Sequence, residues 1–292
     1  MIVHNRDYIL SLRYNNDPRD IPNEIKNFKL YVTKCNYIIE QLNIIVKEDG
    51  IWKISTKQID EEKMILKNFI SILNRITESN YDSLFNELCK LEKINSKNII
   101  DKSIESLINN IKINQVFCKT YARLCLDIYT KNLWEYTDND KVYKFQDILI
   151  NNIEKEFHDT QSIEKRNEIK ENMDSIEDED ELYEYKTKEK KKFNGILLLI
   201  AHLYNVNMIN FPIIEYVLKK LVHPLYMNIT IPDEMNLEFL YNIYPIVTEK
   251  FNYNNWRKIK DIKYAINYIP NDIRIPNRLR LKFMNITENN TK

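Results

Sequence analysis

Between Met64 and Leu91 the apolar positions fall into two stripes with a polar break between them. Ile65, Phe69, Ile72 and Ile76 recur at intervals of four, three and four, which is one face of a helix. The break is Thr77-Glu78-Ser79-Asn80, where Thr77 or Ser79 can cap a second helix by accepting orphan backbone N–H groups. Tyr81, Leu84, Leu88 and Leu91 form the second stripe. So short a turn predicts an antiparallel helical hairpin, because neither helix can bury its stripe alone.

The same rhythm recurs down the chain. Ile100, Ile104, Leu107 and Ile111 make one stripe; Phe117, Tyr121, Leu124 and Ile128 make the next; Phe145, Leu149, Ile153 and Phe157 follow. Another helix is expected around Ile196, Ile200, Leu203 and Tyr204, then helices near 211–223, 234–250 and 256–269 and a final capping helix. Repetition at this spacing predicts an all-α protein of stacked antiparallel helix pairs, a HEAT-type α-solenoid over residues 61–292. Residues 1–22 read as a peptide and loop, broken by Pro18 and Pro22, and residues 23–60 as a linker. In that linker a 3-4 rhythm from Ile25 to Val46 predicts a helix ending near Gly50. The alternative is a β-hairpin across Glu48-Asp49-Gly50, with IIVK and IWKI as strands.

Residues 160–192 differ in character. From Glu164 to Glu184 there are ten acids and three bases, and Lys186, Lys188, Lys190, Lys191 and Lys192 come directly after. The ordinary expectation is a solvated loop or surface helix. A functional reading is a charged loop between helix pairs whose basic end meets RNA phosphates. A second basic stretch, Arg257 to Lys282, holds eight bases against Asp261 and Asp272.

Composition narrows the chemistry. Two glycines in 292 residues are too few for a phosphate-cradling loop or a many-hairpin β fold. Lys+Arg and Asp+Glu both number 43, so RNA binding would need local patches rather than a global field. The four cysteines, Cys35, Cys89, Cys118 and Cys125, have no CxxC spacing and read as free thiols of a reducing, intracellular protein. His4, His158, His202 and His223 stand in no metal-ligand spacing, and no nucleophile motif is present. We therefore expect neither an enzyme nor a cofactor or metal. The longest apolar run, Ile196 to Ala201, is far short of the ~20 residues that cross a bilayer, so no membrane is expected.

Several of these stretches resemble the middle domain of translation initiation factor 4 gamma. Ile72-Leu73-Asn74-Arg75-Ile76-Thr77 with Tyr81 is similar to that family's Ile-Leu-Asn-Lys-Leu-Thr-Pro entry, with Glu78 in place of the proline. Phe117, Tyr121, Ala122, Leu124 and Cys125 match its Phe-x-x-x-Tyr-Ala-x-Leu-Cys signature, and Arg280, Lys282, Phe283 and Met284 match its Arg-Ile-Arg-Phe-Met stretch. FQDILINNIEKEF and FNGILLLIAHLYNVNMI fit the family's intervening helices. The resemblance implies a cytoplasmic scaffold that binds a DEAD-box initiation helicase and mRNA. It assigns helicase contact to Leu73, Ile76, Tyr81, Arg280 and Phe283, while the two basic stretches supply the candidate RNA contacts, Lys188, Lys190, Lys191, Lys192, Arg257, Lys258, Lys260, Arg278 and Lys282. It also compares His4, Ile9 and Leu10 with the Tyr-x-x-x-x-Leu-Φ peptide that docks on a cap-binding initiation factor. On this view the chain is a minimal factor of peptide, linker and helicase-binding domain. Two other readings stay open: a middle-domain protein of RNA decay, splicing or nuclear cap binding, or a helical protein-binding scaffold without RNA contact.

Overall fold

The structure, a computed structural model, describes residues 45–48, 51–54, 61–91, 94–226 and 233–289. The chain divides into two units, Met1–Asp60 and Glu61–Lys292. In the first, Ile45–Glu48 (β1) pairs antiparallel with Ile51–Ile54 (β2), Glu48 opposite Ile51. The helix expected to run through Val46 is thus a strand at its end, and the hairpin alternative holds there. β-Branched residues (Ile45, Val46, Ile51, Ile54) favour the pleated form. The rest of that expected helix, and His4, Ile9 and Leu10, lie outside the described residues.

The second unit opens on the expected helical hairpin, Glu61–Arg75 (α1) and Tyr81–Cys89 (α2). Phe69, Ile72, Ile76, Tyr81, Leu84 and Leu88 are all buried. The turn is closed by neither Thr77 nor Ser79, whose hydroxyls bond each other at 3.0 Å. Asn80 closes it instead: its side-chain oxygen accepts from the Thr77 N–H (2.7 Å) and its amide donates to the Arg75 carbonyl (2.8 Å). An amide carries its acceptor and its donor on separate atoms, so one side chain reaches both groups. α1 packs chiefly on Lys97–Ile113 (α3), and less on α2.

A turn of 3-10 helix, Gln115–Phe117, leads into Cys118–Thr130 (α4). Next comes a hairpin the apolar stripes do not predict, Glu135–Asp138 (β3) with Lys141–Lys144 (β4). Its turn residues Asn139 and Asp140 have φ of 48° and 61°, the left-handed pair that a tight hairpin requires. Tyr136 and Tyr143 face each other across it at 4.9 Å. Just before it, Trp134 wedges edge-on between Phe69 (4.8 Å) and Phe145 (5.3 Å), fixing the hairpin to the core.

Phe145–Gln161 (α5) buries Phe145, Leu149, Ile153 and Phe157 as its stripe predicts. The charged stretch after it is not a loop but two helices, Ile163–Asp174 (α6) and Glu179–Asn205 (α7). Their starts explain why. Ser162 accepts from the Lys165 N–H (3.1 Å), and Asp178 accepts from the Glu181 N–H (2.8 Å). Glu179, Asp180 and Glu181 then sit at the positive end of the α7 dipole. α7 runs on from this exposed half, without interruption, into the buried half from Phe193 to Tyr204. Phe211–Tyr226 (α8), Glu234–Thr248 (α9), Tyr253–Lys258 (α10), Lys260–Tyr268 (α11) and Asn277–Asn289 (α12) complete the domain. The single helix expected at 256–269 is two, broken at Ile259.

The buried half of α7 is the axis of the fold, packed against α3 and α4 on one side and α9 on another. Gly195 permits this. A Cβ there would lie 2.5 Å from the Ile111 carbonyl oxygen on α3, which is backbone and cannot swing aside. Beside it, buried Asn194 donates to Gln115 (2.7 Å) and accepts from Asn242 of α9 (2.9 Å), so one amide bridges three elements. We predict that Gly195→Ala lowers stability by about 1–3 kcal/mol, the usual cost of overpacking, despite alanine's better helix propensity. Urea unfolding followed by circular dichroism measures it, and an unchanged midpoint would contradict the close approach.

Candidate functional site

Two regions carry the assigned helicase-contacting residues. At the first, the α1–α2 turn leans on α4. Leu73, Ile76 and Tyr81 are almost wholly buried, so they form the inside of this tip and do not project from it. The assigned helicase contact by these three side chains is therefore not open to a partner's surface. Stripe positions face the core, and these three lie on the stripes. The Tyr81 hydroxyl donates to Asp127 of α4 at 2.6 Å, and the Arg123 guanidinium lies 3.8 Å from the Tyr81 ring centre. Burial, then the bond to Asp127, pushes the Tyr81 phenol well above its ordinary range. Tyr121 donates to the Leu73 carbonyl at 3.0 Å, satisfying an acceptor at the end of α1.

What the tip does expose is charge of alternating sign. Arg75 pairs with Glu87 (3.0 Å), Arg123 with Asp82 (2.9 Å) and Lys119 with Glu78 (3.4 Å). Lys119, Arg123 and Asp127 are absent from the sequence assignment. They are spaced by four on α4 and reach α2 only through the fold, so no local pattern marks them. His202 at the end of α7 is half-buried; burial, with Lys119 nearby, holds its imidazole below the usual histidine range.

The second region is α12. Phe283 is fully buried and stands edge-on to Tyr241 of α9 at 5.9 Å, while Leu281 and Met284 beside it are exposed. Arg280 is half-buried, with its Nε enclosed. The loop before α12 is tied by Asp272, whose carboxylate takes the Arg274 side chain at 2.6–3.2 Å. That bond holds the Asp272 carboxyl below its ordinary value.

The nine assigned RNA-contacting residues divide into two kinds. Lys190, Arg278 and Lys282 are brought together from α7 and α12, but around acids of α9. Lys190 pairs with Glu238, and Arg278 pairs with Glu238 and, at 2.8 Å, Glu234. Lys282 lies 5.3 Å from the Tyr241 ring. Burial, then the charges of Arg278 and Lys282, lowers the Lys190 ammonium's affinity for its proton. Lys192 pairs with Glu189 on its own helix, whereas Lys188 and Lys191 are exposed. Arg257, Lys258 and Lys260 are also exposed, and none has an ion pair among the described residues. Lys258 lies 5.7 Å from the Phe211 ring.

A cavity of about 390 Å³ opens between α5 and α8, lined by Ile153, Phe157, Ile200, Ile213 and Val217, with Glu154 and His158 among its lining residues. Among the described residues no group of three His, Cys, Asp or Glu is placed to hold a metal ion, and no helix is long and apolar enough to cross a membrane.

The tip geometry is open to a direct check. Tyr81→Phe keeps the ring under Arg123 but removes the bond to partly exposed Asp127, and should cost about 1–2 kcal/mol. Tyr81→Ala should cost about 3–5 kcal/mol, because it also empties a core site. Equal losses for the two variants in denaturant unfolding would contradict this placement.

Comparison with known proteins agrees with the helical architecture. The "Eukaryotic translation initiation factor 4G" of Cucumis melo is 25% identical over 77% of this chain, and that of Oryza sativa subsp. japonica 24% over 72%. The "Eukaryotic translation initiation factor 4 gamma" of Dictyostelium discoideum is 20% identical over 79%. The aligned part is 12%, 11% and 19% of those proteins, so this chain spans a small fraction of their length. Among solved structures, the MIF4G domain of Trypanosoma cruzi translation initiation factor EIF4G5 superposes with a TM-score of 0.50 at 14% identity. The match covers 77% of this chain and 94% of that one, and so shares the fold. The family model described as MIF4G domain matches residues 66–291, from the first turns of α1 to the end of α12, and this chain therefore belongs to the MIF4G domain family of helical scaffolds.

Proposed function

We propose that this chain is a cytoplasmic translation-initiation scaffold that binds a DEAD-box RNA helicase of the initiation-factor class, together with mRNA, and leaves ATP hydrolysis to that helicase. The observation that carries the reading is the family match, which runs unbroken through both assigned regions. In this reading Leu73, Ile76 and Tyr81 act from inside: they set the shape of the tip, and the helicase meets the charged side chains above them. Alternating charge suits such a contact, since it fixes register and repels wrong partners. At the other region Phe283 anchors α12, while Arg280, Leu281 and Met284 offer the contact surface.

The test is titration of the purified chain with an initiation-type DEAD-box helicase from the same source. Because the buried residues would confound binding with unfolding, Arg75→Glu/Glu78→Lys is the informative variant at the tip. Both side chains are exposed and their ion pairs contribute little to stability. A loss of about tenfold or more, or ~1.4 kcal/mol, with unchanged circular dichroism is expected. Absence of binding by the wild type would sink the assignment.

The N-terminal segment belongs to the same proposal. His4, Ile9 and Leu10 would dock on a cap-binding initiation factor as an apolar helical face. A synthetic peptide of residues 1–22 should bind that factor, Ile9→Ala/Leu10→Ala should abolish binding, and His4→Tyr should tighten it. A chain that binds helicase while its peptide ignores the cap-binding factor would point instead to a middle-domain protein of RNA decay, splicing or nuclear cap binding.

A further inference from the structure

Five tyrosines are strongly exposed among the described residues, and three of them, Tyr253, Tyr264 and Tyr268, lie within α10 and α11. On α11 the exposed positions Lys260, Tyr264 and Tyr268 are spaced by four, so they form a stripe with a rise of ~6 Å between neighbours. Ile262, Ile266 and Ile269 fill the core from the other side of this segment. Tyr264 and Tyr268 are 75% and 54% exposed, and their ring faces have no stacking partner among the described residues. Lys260 heads this stripe, and Arg257 and Lys258 precede it at the end of α10, Lys258 5.7 Å from the Phe211 ring and none of the three in an ion pair among the described residues.

We infer that this stripe of α11 is a stacking platform for single-stranded RNA, with Tyr264 and Tyr268 receiving unpaired bases and Arg257 and Lys260 holding the backbone phosphates. The inference rests on the RNA-binding reading above and deepens it. Two features favour nucleic acid over a protein partner. Lysine is depleted from the centre of protein interfaces, yet here Lys260 stands on the stripe itself, one turn from Tyr264. Aromatic faces beside free cations are the recurring composition of single-strand sites. A duplex is excluded by the same chemistry, because its bases are stacked on one another and offer no face to a side chain. Of the other assigned cations, Lys190 and Arg278 are paired with Glu238 and Glu234, and exposed Lys188 and Lys191 share their helix with one strongly exposed tyrosine, Tyr183, so it is the pair of rings that singles out α11.

The experiment uses the full chain and a fluorescein-labelled, unstructured oligouridine of about 12 nucleotides, within the span that such sites cover. Anisotropy is read across a salt series, with a duplex of equal length as comparison. Tyr264→Leu/Tyr268→Leu should weaken binding on the order of 10- to 100-fold while leaving the salt slope unchanged. Tyr264→Phe/Tyr268→Phe should stay within about twofold, because the rings remain. Arg257→Ala/Lys260→Ala should flatten the salt slope by roughly 0.7 for each phosphate no longer neutralised. All these side chains are exposed, and circular dichroism checks that each variant folds. If wild type binds the single strand and the leucine variant binds it equally, the stacking inference is overturned while RNA binding survives. If wild type binds no single strand, both readings fail. Equal affinity for the duplex, or loss of helicase rather than RNA by the leucine variant, also overturns it.

Discussion

The close approach of two helix backbones at Gly195 is the constraint on which the domain depends. With no side chain there, α7 can lie against the Ile111 carbonyl of α3, and the rest of α7 is then positioned on α4 and α9. The thiol of Cys118 at 3.7 Å from the Gly195 carbonyl and the Asn194 bridge to Gln115 and Asn242 surround the same point. Buried polar groups of this kind stabilise only when each has its partner, and they penalise any shift of register. A chain with two glycines has placed one of them where a Cβ cannot be accommodated. Burial pushes the Cys118 thiol up to about 12, so the cysteine beside this point behaves as packing rather than as a nucleophile.

The apolar stripes made the helices legible, because positions spaced by three and four can face a core in one conformation only. Phe69, Ile104, Leu124 and Leu149 are buried for that reason. Three features escaped the same logic. The β3–β4 hairpin turns on Asn139 and Asp140, whose left-handed backbones carry no glycine to announce them. The acidic run around Glu177–Glu181 reads by composition as loop or surface helix alike, and the carboxylates at its start, which stabilise the helix they begin, decide for helix. Asn80 shuts the first turn by using both ends of its amide, a choice that Thr77 and Ser79 flanking it obscure.

The functional surface was less legible than the fold, for an electrostatic and a geometric reason. Charge counted along a sequence ignores partners far away in it: Lys190 meets Glu238 and Arg278 meets Glu234 across more than forty residues. Within the basic stretch 257–282, Arg274 and Arg278 are therefore held by acids, while Arg257, Lys258 and Lys260 have no ion pair among the described residues. The geometric reason concerns Leu73, Ile76, Tyr81 and Phe283. A resemblance in apolar motif residues identifies what builds a surface, and in a helical stack those residues point inward. The side chains the tip exposes, such as Glu78, Lys119 and Arg123, lie between the stripe positions, where no apolar rhythm marks them.

In the proposed role, this arrangement gives the scaffold a fixed distance between its two contact regions. The tip of α1–α2 rests on α4, and α12 rests on α9. Both α4 and α9 pack on α7, so a partner held at both regions is held against one continuous helix rather than across a loop. Two weak contacts on a rigid spacer reinforce each other, because the second forms at high effective concentration once the first is made. A helicase held at both regions would lose part of its freedom to reorient, because the spacer between them does not flex. The charge pairs at the tip then supply orientation, and the buried tyrosine beneath them keeps that orientation constant.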